Sequence, residues 1–104
     1  MGELRVDVDA SAQGNQQATC GGVVRDHRGK WVIGFTRKLG NYLVVAAEIL
    51  AIKAGMEVCK SLNIRDFQIH SDSLEAISTL VRDSGINHPF RQEIEETRKL
   101  IYEE

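Results

Sequence analysis

The sequence predicts an α/β fold, a mixed sheet with helices packed on it, and three observations carry the prediction. Residues 4–9, LRVDVD, alternate apolar and polar without a break, the period of a half-buried strand. Two β-prone runs, CGGVVRD at 20–26 and KWVIGFTRKL at 30–39, meet at the turn signal Asp26-His27-Arg28-Gly29 and read as a hairpin. A helix-length segment at 44–60 then leads to FQIHS at 67–71, which reads as a further strand. The chain therefore passes from an antiparallel meander into a helical crossover.

In the first strand Leu4, Val6 and Val8 face one way and Arg5, Asp7 and Asp9 the other. The stretch SAQGNQQAT is polar, carries Gly14 and Asn15, and is a loop. In the 44–60 helix Ala47, Ala51, Gly55 and Cys59 recur every four positions and form one ridge of small residues. Gly55 costs roughly 1 kcal/mol of helix propensity relative to Ala, so close packing against a neighbour is the expected reason for it. SLEAISTLVRD, 73–83, reads as a helix with Leu74, Ile77, Leu80 and Val81 on one face. A last helix follows Asn87 and His88, with Pro89 at its first position and Phe90, Ile94, Thr97 and Ile101 on its less polar side. No repeat or linker interrupts this order, and residues 1–104 read as one domain.

Composition narrows the function. Lys and Arg number 13 against 15 Asp and Glu, a net charge of −2, which is not the basic footprint of a protein that grips phosphate backbones mainly by charge. Cys20 and Cys59 stand in no CxxC or Cys/His spacing, so by themselves they make no zinc site and read as small core residues. Two free thiols without a signal peptide suit the interior of a cell, cytoplasm or nucleus. No apolar run is long enough to span a membrane.

One charge stands out. In LVVAAEILAI, 43–52, every residue is apolar except Glu48, and an ionised carboxylate is costly to bury alone. Asp9 closes the first strand and Asp72 the fourth. A right-handed crossover that sets the fourth strand beside the first makes the two parallel. Asp9 and Asp72 then finish side by side, about 4.8 Å apart. Glu48, about one turn into its helix, points to the same crevice at the carboxyl ends of the strands. Three such anions repel unless a cation sits among them, and an oxygen-only set suits Mg²⁺ or Mn²⁺. Plainer readings stand beside this one. Asp72 with Glu75 fits a D-x-x-E capping box, Glu48 fits a charge favoured by a helix N-terminus, and Asp9 fits a solvated strand residue. Arg25, Arg28, Lys30, Arg37 and Lys38 read as a cluster around the hairpin, either solvated or a phosphate-binding strip. Trp31 reads as core or half-exposed sheet. His27, His70 and His88 are scattered and read as turn, strand and helix-start residues.

These pieces, in this order, resemble the ribonuclease H-like superfamily, and within it the plant reverse-transcriptase-like domains of retrotransposon type. VDVDAS is similar to the family's first-aspartate strand, GGVVRDHRGKWVIGFTRKLG to its hairpin, AAEILAIKAGMEV to its glutamate helix and IHSDSLEAI to its second-aspartate segment. The likeness runs from about residue 4 to residue 100. It implies a sheet of order 3-2-1-4, with Asp9, Glu48 and Asp72 as three of four metal-binding catalytic acids. It also implies Mg²⁺-dependent hydrolysis of the RNA strand of RNA/DNA hybrids, with hybrid contacts near Ser11 and Ser73. Two departures bear on this. Ala10 stands where the family usually has Gly. The sequence ends at Glu104, before the family's fifth strand, its His-bearing loop and the last helix with the fourth acid, so the domain reads as truncated. Arg5 and Asp7 would lie on the sheet face that this last helix partly covers. With three acids a first metal binds, a second loses a ligand, and two-metal catalysis is expected to be weak or absent. The alternatives are a catalytically silent module that binds nucleic acid or protein, and a structural piece that self-associates through the exposed edge of its fourth strand.

Overall fold

The computed structural model describes residues 3–12, 17–82 and 91–102. Seven elements follow one another: β1 (Leu4–Ser11), β2 (Ala18–Arg25), β3 (Trp31–Gly40), α1 (Val44–Ser61), β4 (Phe67–His70), α2 (Leu74–Val81) and α3 (Arg91–Tyr102). The strands form one sheet of order β3-β2-β1-β4. β1 pairs antiparallel with β2, and β2 with β3, while β4 runs parallel to β1, as the crossover argument requires. The strands reach further than the polar loop suggested, since Ser11 ends β1 and Ala18 and Thr19 open β2. At the hairpin, the Asp26 carboxylate accepts hydrogen bonds from the Arg28 and Lys30 amides, both at 2.9 Å. Gly29 closes the turn at φ +82°, where a side chain would be strained.

The core lies between one face of this sheet and α1. Val6, Val8, Cys20 and Val24 from the sheet meet Ile49, Ala51, Ile52, Ala54 and Cys59 from the helix. The small ridge behaves as its spacing predicts: Ala47, Ala51, Gly55 and Cys59 are all buried. A Cβ on Gly55 would come within 2.9 Å of Val8 Cγ1 and 3.3 Å of both Val6 Cγ1 and Ile69 Cδ1. The helix therefore lies as close to β1 and β4 as a bare backbone allows. Among the described residues α1 is the one helix that touches the sheet; α2 and α3 pack on α1 and on each other. Polar contacts seat α3. Lys53 Nζ donates to Glu96 Oε1 at 2.7 Å, Tyr42 Oη donates to Glu93 Oε2 at 3.3 Å, and Arg98 Nη1 donates to the Leu80 carbonyl at 2.6 Å.

The smaller helices depart from their sequence patterns. Of the predicted α2 face only Leu80 is buried, with Ala76, while Leu74, Ile77 and Val81 are exposed. The edge that meets α1 and α3 is the i, i+4 pair Ala76–Leu80, not the stripe through Leu74. In α3, Ile94 and Thr97 are buried and Ile101 is exposed; Asn87, His88, Pro89 and Phe90 lie outside the described residues. The buried Thr97 hydroxyl is satisfied by donating to the Glu93 carbonyl at 2.8 Å. Trp31 is 60% exposed, so it is not a core residue.

Because Gly55 meets side chains of the stiff core residue Val8, Gly55→Val is expected to overpack the α1–sheet contact. The loss should be about 2–3 kcal/mol of unfolding free energy, read from the midpoint of a urea melt.

Candidate metal centre

The parallel register sets two of the three acids. Asp7 pairs with His70 across β1 and β4. Asp9 and Asp72 each lie two residues further along, so they stand level with one another, Asp9 within β1 and Asp72 just past the end of β4. Asp9 is held locally, its Oδ1 accepting the Ala10 amide at 2.9 Å. The third acid comes from α1. Carboxylate oxygens of Asp9, Glu48 and Asp72 all lie within 4.8 Å of one another. The structure thus brings together the three acids that the sequence singled out. Asp9 and Asp72 are exposed, whereas Glu48 is only 6% exposed.

Two of the plainer readings fail on geometry, while the exposure of Asp9 on β1 also fits a solvated strand residue. The first turn of α1 holds no acid, because Glu48 comes one turn later, and the pull of a helix N-terminus fades within that turn. Asp72 does not cap α2. Ser73 does, its Oγ accepting the Ala76 amide at 3.2 Å. The capping box reading placed the helix start one residue too early, and Asp72 is left for the cluster. Glu75 keeps a favourable place in the first turn of α2.

Glu48 carries the electrostatic load of the site. Its carboxyl is pushed above the usual range first by burial, then by the charges of Asp9 and Asp72, with the Ala10 amide opposing. Its Oε1 is buried and has no hydrogen-bond partner. A buried acceptor left unpaired costs about 1–3 kcal/mol. A hard cation among the three carboxylates relieves both the repulsion and the missing bond, and the all-oxygen donor set fits Mg²⁺ or Mn²⁺.

Ser11 and Ser73 flank the cluster in sequence, and each already has a structural bond. Ser11 Oγ shares a hydrogen bond with Thr19 Oγ1 at 3.1 Å. Ser73, beyond its cap, donates its amide to Ser71 Oγ at 3.1 Å. His70 stays on β4 beside Gln68 Oε1, at 3.1 Å, outside the acid cluster. The five cations do not form one cluster. Arg25, Arg28 and Lys30 sit at the turn, but Arg37 and Lys38 pair with Cys20 and Thr19 at the opposite end of β3, next to the strand end that carries Asp9. Seven residue steps along the chain separate Lys30 from Arg37, roughly 23 Å; counting that rise along the sequence would have divided the group.

A profile of reverse transcriptase-like proteins matches residues 5–104. The chain belongs to the reverse transcriptase-like family. No curated protein matches it by sequence. Among solved structures it is similar to RNase H1 of the halophilic archaeon Halobacterium salinarum, with TM-score 0.84 and 24% identity over 96% of this chain and 77% of that one. The N-terminal RNase H domain of a Mycobacterium tuberculosis protein superposes with TM-score 0.82 at 17% identity, over 97% of this chain and 75% of the other. LC11-RNase H1 from a compost metagenome, solved in complex with an RNA/DNA hybrid, gives TM-score 0.80 at 16% identity, over 94% and 75%. At these identities the likeness is one of fold: this reverse transcriptase-like chain has the RNase H-like fold, and its sheet order is the one that the sequence resemblance implied.

Two outcomes follow from this geometry. The raised Glu48 pKa means that its contribution to stability is fully present below the ordinary glutamate value of 4.5 and is lost as pH rises through the folded-state value. In EDTA at pH 7, Glu48→Gln should therefore melt above wild type, with the gap closing toward pH 4. Metal at a hundred times its Kd should stabilise wild type by about 2.7 kcal/mol and leave the variant unmoved. Separately, Ser73→Ala should cost about 1 kcal/mol through the lost cap, read from thermal melts.

Proposed function

We propose that this chain is a metal-dependent endonuclease of the ribonuclease H type, which hydrolyses the RNA strand of RNA/DNA hybrids. The observation that carries the proposal is the convergence of Asp9, Glu48 and Asp72 around the unpartnered buried Glu48 Oε1. The RNase H-like fold around that cluster and the hybrid seen with LC11-RNase H1 support the substrate class. Mg²⁺ or Mn²⁺, when bound, supplies an activated water and stabilises the leaving oxygen. The residues divide the remaining work by exposure. Glu48, buried behind the site, would hold the ion from the helix side. Asp9 and Asp72, exposed, offer their oxygens toward the face from which a phosphate approaches. Ser73 Oγ uses a lone pair on the Ala76 amide and keeps its proton to donate to a phosphate or a 2′-hydroxyl. Ser11 is the corresponding contact at the end of β1. The duplex is read through its shape and 2′-hydroxyls, as is usual for paired RNA. The chain works inside the cell, and β4, an edge strand among the described residues, offers an edge through which two copies can pair, which sedimentation at rising concentration tests.

The deciding test is a titration with Mg²⁺, and with Mn²⁺ for its paramagnetic broadening, followed by backbone NMR on wild type and Asp9→Asn. Changes should centre on Asp9, Glu48 and Asp72 and disappear in the variant. Cleavage of a labelled hybrid should fall at least about a hundredfold, since even outer-shell changes at metal sites cost 10–100-fold. No response at millimolar metal overturns the ribonuclease reading. Metal-dependent changes without hybrid cleavage would leave a catalytically silent module that binds nucleic acid.

A further inference from the structure

The far end of β3 has a use that the acid cluster does not explain. An open cleft of about 590 Å³ begins at Asp9 and crosses the sheet to β3. Register gives its shape. Asp9, Gly21 and Thr36 form one cross-strand row, and Ser11, Thr19 and Lys38 form the next. The register is regular from Val24–Ile33 to Thr19–Lys38 and shifts on either side of that run. Gly21 leaves the floor bare, and a Cβ there would come within 3.0 Å of the Phe35 carbonyl oxygen. Its walls set the Ser11, Thr19 and Thr36 hydroxyls and the Lys38 ammonium beside Ala10, Cys20 and the Arg37 guanidinium. Arg37, the neighbouring cation, is already engaged by Glu57 at 2.8 Å. Among the described residues no carboxylate pairs with Lys38, which is exposed.

We propose that Lys38, with Thr19 beside it, is a phosphate subsite for the nucleic-acid strand whose scissile bond lies at the carboxylate cluster. The inference rests on the ribonuclease reading and deepens it. Lys38 stands two inter-strand spacings across and two residues along from Asp9, roughly 12 Å. A strand rising about 3.4 Å per nucleotide covers that span in some three to four nucleotides. Lys suits a phosphate as a point charge, and threonine hydroxyls donate to phosphate oxygens. Near Asp9 a phosphate is repelled unless a cation intervenes; at Lys38 it is attracted without one. The cleft is open along its length, which fits a polymer backbone passing through and not an enclosed small molecule. The protein is acidic overall, so a lone uncompensated cation at this place sets the position of the strand more than it raises general affinity.

The experiment measures binding of a labelled RNA/DNA hybrid by fluorescence anisotropy across a salt series in EDTA, and steady-state cleavage in Mg²⁺. Lys38→Gln should weaken hybrid binding roughly fivefold and reduce the log–log salt slope by about one. It should raise KM with kcat little changed. Lys38→Arg should restore the slope, and Lys30→Gln, at the hairpin end of β3, should leave it at the wild-type value. A Lys38→Gln protein that cuts the hybrid with wild-type affinity and slope overturns the subsite and leaves the ribonuclease reading intact. A wild-type protein that cuts nothing but keeps the Lys38-dependent slope overturns the ribonuclease reading and upholds the subsite. No hybrid binding by wild type overturns the subsite.

Discussion

The contact on which the rest depends is that of α1 lying flat on β1 and β4. Gly55 removes the one side chain that would hold the helix away, and Val6, Val8 and Ile69 fill the space up to its backbone. The gain is dispersion and apolar burial along the whole ridge from Ala47 to Cys59, which outweighs the roughly 1 kcal/mol that glycine costs in a helix. The same closeness carries Glu48, one turn into α1, below the surface at the end of the sheet. Packing in the core and burial at the site are thus one constraint: a helix that lay further out would leave Glu48 in water.

That burial has an electrostatic cost which the fold itself does not offset. Three carboxylates within 4.8 Å repel, and the low dielectric around Glu48 strengthens the repulsion. The protein meets it in two places. Asp9 and Asp72 stay exposed, where water screens them, and the one Ala10 amide, bonded to Asp9 and close to Glu48, supplies partial positive charge. What remains, the raised Glu48 pKa and the bare Oε1, is strain stored at a site and not in the core. Among the described residues the other buried side-chain polar atoms are satisfied, down to the Thr97 hydroxyl.

Charge is also sorted along the sheet. The hairpin end of β2 and β3 carries Arg25, Arg28 and Lys30, while the acids collect at the opposite end, with Lys38 across the cleft from Asp9. A nearly neutral chain can therefore present sharply different local fields over the length of one strand. On the helix side, Lys53, Tyr42 and Arg98 tie α3 to its neighbours through carboxylates and a helix-terminal carbonyl. α3 needs few buried apolar residues for that reason, and its sequence shows little of a hydrophobic stripe.

The sequence by itself determined the elements whose periodicity is strong. LRVDVD alternates because one face is buried. The every-fourth small residues of 44–60 fix which side of α1 meets the sheet. The Asp26–Gly29 turn is set by local hydrogen bonds that need no partner from elsewhere. The three acids were legible for the same reason, since each lies near an end of an element whose direction the chain order dictates. Tertiary structure decided what local pattern leaves open. Which stripe of α2 is buried depends on where α1 and α3 stand, so Leu74 and Val81 face solvent despite their hydropathy. Whether Asp72 or Ser73 caps α2 depends on a difference of one residue in helix start, which favours the side chain that reaches Ala76. Lys38 separates from the hairpin cations because strand length and register, not nearness in sequence, set its neighbours. Periodicity records which face an element buries; the partner that covers it, and the distances at a site, are set only when the elements meet.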